Sequence, residues 1–112
     1  MAIEFNGRAV ETTSTGFLVD VEDWSPDLGR QMAELEAIAL TDAHWDILNH
    51  LREEYFDNNG SQPNTRGILK AMTEKWGRAV TQKELYDLFP GDPSKQAGRI
   101  AGLPESKRKG GY

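Results

Sequence analysis

The chain has no cysteine anywhere in its 112 residues. That absence excludes disulfides, thiolate zinc sites, thiol nucleophiles and cysteine persulfides together. Imidazoles are scarce as well: His44 and His50 are the two present. No metal constellation stands out, and neither a metal nor a cofactor is expected. With no nucleophile to activate, each histidine reads as a surface or capping group rather than a general base. No apolar run reaches the roughly 18 residues of a membrane span. The opening Met1-Ala2-Ile3-Glu4-Phe5-Asn6-Gly7 has neither the basic region nor the apolar stretch of a secretory signal. A soluble, cytoplasmic protein is therefore expected.

Hydrophobic residues make up only 38% of the chain, but three Trp, three Tyr and four Phe supply large side chains for a core. The length suits one domain, expected over residues 1–104, with 105–112 as a flexible C-terminal arm. Net charge is −5, unevenly spread. Residues 1–63 carry three basic and thirteen acidic side chains, whereas 64–112 carry ten and five. The acidic half argues against general nucleic-acid affinity, while the basic half leaves room for a local anionic partner.

The pattern predicts an α+β fold, mainly α, with a small β-hairpin packed on a helical body. Ile3-Glu4-Phe5 and Ala9-Val10-Glu11 flank Asn6-Gly7, a two-residue hairpin signal. A turn at 13–16 leads to a short strand over 17–19. Ser25-Pro26 caps a helix running to about Ala37, with Leu28, Met32, Leu35 and Ile38 inward and Trp24 stapled on its start. Thr41 caps the longest helix, about 42–57, expected to be central, with Trp45, Leu48 and Leu51 buried. Gln62-Pro63-Asn64 opens a third helix, about 65–76, with Ile68, Leu69, Met72 and Trp76 inward. Gly67 within it implies close packing or an end effect. Thr81 and Glu84 form a capping box for a fourth helix that buries Leu85. The pair around 65–89 is compatible with a helix-turn-helix.

The stretch Phe89-Pro90-Gly91-Asp92-Pro93-Ser94-Lys95-Gln96-Ala97-Gly98-Arg99-Ile100-Ala101-Gly102-Leu103-Pro104 organises the rest. Its prolines bracket a turn, Ser94 is a candidate N-cap, and Gly102 and Pro104 stop a helix of about two turns. This stretch resembles the C-terminal signature of the DsrC/TusE sulfur-relay family, Leu-Phe-Pro-x-Gly-Pro-x-Lys-Gln-Ala-Cys-x-Ile-Ala-Gly-Leu-Pro. Gly16-Phe17-Leu18, Trp24, Leu40-Thr41, His44-Trp45, Pro63 and Arg66 match earlier landmarks of that family. The resemblance implies a protein tied to dissimilatory sulfite reductase or tRNA thiolation, with sulfur carried on a penultimate cysteine. Gly98 stands at the family's first cysteine and Gly111, counted from the C-terminus, at the second. The family arm after Gly-Leu-Pro usually has six residues, whereas this one has eight.

The expectation is a non-catalytic regulatory or docking protein of the sulfur-transfer machinery, with a protein partner, no membrane and no catalytic residue. Lys95, Arg99, Lys107, Arg108 and Lys109 are its candidate partner-binding residues. The alternative is a DNA-binding regulator of sulfur genes that uses residues 65–89.

Overall fold

The computed structural model describes residues 2–105. The fold begins with strands β1 (Ala2–Phe5) and β2 (Arg8–Glu11), paired antiparallel with Ile3 opposite Val10 and Phe5 opposite Arg8. Asn6 and Gly7 turn between them at φ 51° and 78°, the left-handed pair that matches strand twist. The expected third strand is reduced to one bridge between Thr12 and Leu18. Phe17 and Leu18 are nevertheless buried.

Among the described residues, five helices follow a short 3₁₀ turn over Val21–Asp23: α1 (Pro26–Leu35), α2 (Asp42–Asp57), α3 (Thr65–Trp76), α4 (Gln82–Leu88) and α5 (Pro93–Ile100). Local chemistry explains most of their ends. Ser25 Oγ accepts from the Leu28 amide, with Pro26 in the first turn. Asn64 Oδ1 accepts from the Gly67 amide, and Gly77 closes α3 in the left-handed conformation. Thr81 caps α4 through the Glu84 amide, but the Glu84 carboxylate turns to Arg78 instead of closing the expected box. A Cβ on Gly67 would lie 3.2 Å from Pro63 Cβ, so this glycine answers both to the helix start and to close packing.

Helix α1 is shorter than its apolar spacing implies. It stops at Leu35, Ala37 turns left-handed at φ 59°, and Leu35 is 67% exposed instead of inward. Helix α5 starts one turn position earlier than expected. Asp92, not Ser94, is its N-cap, accepting from the Ser94 and Lys95 amides. Pro93 supplies the preset first helical residue, which makes Asp92 the last non-helical position.

Among the described residues, two apolar clusters form the interior. Phe5, Val10, Leu18, Leu28 and Met32 join the hairpin to α1. Ile47, Leu48, Leu51, Ile68, Met72, Leu85, Phe89, Ala97, Ile100 and Leu103 are among those that join α2 to α5. Leu48, Leu51 and Leu85 are buried as expected, but Trp45 is only partly so and packs at the edge. The central position belongs to α5 rather than α2: the eight-residue α5 packs against each of the other four helices.

Candidate functional site

The surroundings of α5 are built from side chains far away in sequence. Its C-terminus follows the Schellman pattern. The Leu103 amide donates to the Gly98 carbonyl (3.0 Å) and the Gly102 amide to that of Arg99 (3.1 Å), with Gly102 at φ 76°. The carbonyls left over are taken by side chains. Trp24 Nε1 donates to Ile100 O (2.8 Å), Arg52 Nη1 to Ala101 O (2.7 Å) and Gln62 Nε2 to Pro104 O (3.2 Å). Arg52 also stacks over the Trp24 ring at 4.0 Å, adding a cation–π contact to the same clamp. Thr15 Oγ1 donates to Glu105 Oε1 (2.6 Å) where the described chain ends.

The other flank is polar and half-buried. Glu36, just past α1, accepts from Gln96 Nε2 (2.9 Å), Arg99 Nε (2.8 Å) and Arg99 Nη2 (2.5 Å). Burial alone would raise the Glu36 pKa. The hydrogen bonds from Arg99 and Gln96, with the Arg99 charge, outweigh it and hold the carboxyl below its usual range. Gln96 Oε1 in turn accepts from the Gly91 amide (2.7 Å), closing the turn ahead of α5.

Gly98 sits inside α5, on a face where, among the described residues, a Cβ would meet nothing within 4 Å beyond its chain neighbours and its own helix backbone. Gly98 is buried, yet the first side-chain atom of a larger residue has room at this position. Lys95 is exposed one turn earlier and has no ion pair among the described residues. Arg99, by contrast, is committed to Glu36 and lies over the Phe17 ring at 5.5 Å. Lys107, Arg108, Lys109, Gly111 and the arm beyond Glu105 lie outside the described residues.

His44 is buried, not a surface group, although it does cap. Its Nδ1 accepts from the Thr41 amide (3.0 Å), which leaves Nε2–H to donate to the Leu88 carbonyl (2.9 Å). Burial lowers its pKa, against a smaller opposing effect of the Leu88 bond. The arrangement holds a neutral imidazole between α2 and the end of α4. It is a structural bridge, and among the described residues no three His, Asp or Glu side chains gather as metal ligands. No helix among the described residues is long and apolar enough to cross a membrane.

On α4, Lys83 pairs with Asp87 (3.1 Å), and Arg78 just before α4 pairs with Glu84 (2.6 Å). Cations neutralised in this way are poorly placed for phosphate contact. The long-range clamp on α5, from Trp24, Arg52, Gln62 and Glu36, was missed in the sequence. Of its members, the sequence singled out Trp24 alone, as a staple on the start of α1.

Comparison with known proteins points one way. The family described as DsrC like protein matches residues 4–108. The sulfurtransferase TusE of Pectobacterium atrosepticum is 43% identical over 104 residues, covering 92% of this chain and 94% of that protein. The TusE homolog of Haemophilus influenzae is 42% identical over the same shares. Among solved structures, the NMR structure of Allochromatium vinosum DsrC superposes with a TM-score of 0.86 at 39% identity, covering 96% of both chains. The oxidized gamma-subunit of dissimilatory sulfite reductase (DsrC) from Archaeoglobus fulgidus gives 0.86 at 28% identity, covering 96% of this chain and 98% of that one.

Proposed function

The chain belongs to the DsrC-like family of sulfur-relay proteins, and on that premise we propose that it acts in this machinery by docking alone. It would take the place of a sulfur-carrying relative on a protein partner, in the cytoplasm, and regulate transfer without accepting sulfur. The observation that carries this reading is the lack of any cysteine in a chain that keeps the family's Lys95-Gln96-Ala97 and Ile100-Ala101-Gly102-Leu103-Pro104. Glycine at 98 and 111 has no sulfur to donate or receive.

The clamp on α5 supports the same reading. Trp24, Arg52 and Gln62 fix three carbonyls at the chain's exit, so the shape presented to a partner does not depend on a thiol. Lys95, with Lys107, Arg108 and Lys109, would supply the cationic contacts, while Arg99 holds α5 in place through Glu36. Cations of this kind act mainly on association rate and register. The DNA-reading alternative gains nothing from the comparisons or from the paired Arg78 and Lys83.

Affinity capture with the intact chain, and with a chain truncated after Glu105, tests the reading. Capture of the partner of a cysteine-bearing relative, lost on truncation, is the expected result. Equal capture by both chains would remove the arm from the account, and no capture would remove docking.

A further inference from the structure

A second, separate polar opening lies between the starts of α3 and α4. It has a volume of about 540 Å³ and is lined by Asn64, Thr65, Arg66, Leu69 and Gln82, with no carboxylate in its wall. Thr65 and Arg66 are the first two residues of the 12-residue α3, whose leading amides have no intrahelical acceptor. Asn64 satisfies only the Gly67 amide by side chain and that of Ile68 by its carbonyl. The positive end of the helix dipole therefore faces this opening, a natural seat for negative charge.

A second observation points to a guest. Thr65 is 1% exposed, and its Oγ1 is the buried side-chain polar atom among the described residues that has no hydrogen-bond partner. Buried hydroxyls are almost always paired, so an orphan one in the wall of an opening calls for an acceptor or donor from outside the chain. Arg66 is exposed at the rim and has no ion pair among the described residues. Along the same helix stand Lys70 and Lys75 with one acidic residue, Glu74. A cation, two free amides and an unpaired hydroxyl converge on one opening without an opposing carboxylate. We propose that the α3 N-terminus binds a single tetrahedral oxyanion, phosphate or sulfate, with Arg66 as the charged contact and the Thr65 hydroxyl as donor.

The site is independent of thiol chemistry and of docking through α5. Its test is a titration of the full-length chain with sodium phosphate at constant ionic strength, followed by amide NMR, with sodium sulfate and a short DNA duplex as parallel arms. Saturable shifts centred on Thr65, Arg66 and Gln82 are expected with both inorganic anions. Arg66→Gln should weaken binding about tenfold, the scale of one charge-assisted hydrogen bond, and Thr65→Val about fivefold. Phosphate should also raise the melting temperature of the wild type more than that of either variant. Because Arg66 is exposed, Arg66→Gln leaves the fold intact and decides the matter even if Thr65→Val does not fold. Shifts that stay linear or scatter over many lysines would overturn the proposal, as would unchanged affinity in Arg66→Gln. Saturation by the duplex at concentrations where phosphate does not bind would replace it with nucleic-acid binding.

Discussion

The indole of Trp24 fills the space that a side chain on Gly102 would occupy. A Cβ built on Gly102 would overlap Trp24 Cβ, Cγ and Cδ1, and the residue's φ of 76° already favours glycine. The loop before α1 and the stop after α5 are thus fitted to each other across the fold, with the Trp24–Ile100 hydrogen bond alongside.

Gly102→Ala should cost about 3 kcal/mol or more, combining left-handed strain with overpacking against the ring. Urea unfolding is the measurement. A loss under about 1 kcal/mol would show that the Trp24 ring can swing aside and does not clamp α5.

Gly98→Ala should do the opposite. The position is helical, a Cβ there meets nothing within 4 Å among the described residues beyond its chain neighbours and its own helix backbone, and glycine costs a helix interior about 1 kcal/mol relative to alanine. A gain of that order is expected in the same assay, and Gly98→Cys should fold without loss. Destabilisation by either substitution would mean that this face of α5 is filled.

Acid should weaken the fold in two stages. The folded pKa of His44 lies below its unfolded value of about 6.5. The unfolded chain therefore binds that proton more readily, and stability that is complete above about pH 6.5 declines as pH falls through it. Below about pH 4.3 the lowered pKa of Glu36 adds a second decline, as protonation removes the acceptor for Arg99 and Gln96. Urea midpoints between pH 8 and pH 3 read both. His44→Gln should flatten the upper stage only; an unchanged profile in that variant would place the proton elsewhere.

Glu36→Ala should cost about 2 kcal/mol, since Arg99 and Gln96 lose their shared acceptor in a half-buried setting. The loss should persist in high salt, because buried pairs are weakly screened. A cost that vanishes at high ionic strength would reduce the pair to a surface contact.

How legible each element was follows from the range of the interaction behind it. The Asn6-Gly7 hairpin and the Ser25, Thr41, Asn64 and Thr81 caps rest on neighbours within a few residues, and all are present. The end of α1 was not legible, because Leu35 and Ile38 keep helical spacing while Ala37 breaks the backbone between them at φ 59°. Ser94 and Asp92 are both good caps, and only the fixed φ of Pro93 separates them. His44 showed its capping role through Thr41, three residues away, but its bond to Leu88 needed the fold. The same holds for Glu36, sixty residues from Gln96. The two positions that define the missing chemistry, Gly98 and Gly111, were readable only through the family signature, since a glycine carries no trace of the side chain a relative has there.

The most direct measurement of the central claim is a sulfur-transfer competition. A cysteine-bearing relative is loaded from a persulfide donor and passed to its partner while this chain is added in increasing amounts. The chain itself is weighed intact at each point. The account predicts saturable inhibition of transfer, relieved by Lys95→Glu or by truncation after Glu105, with no gain in the chain's own mass. Transfer that continues unchanged at a large molar excess, or a stable gain of one sulfur atom on this cysteine-free chain, would contradict it.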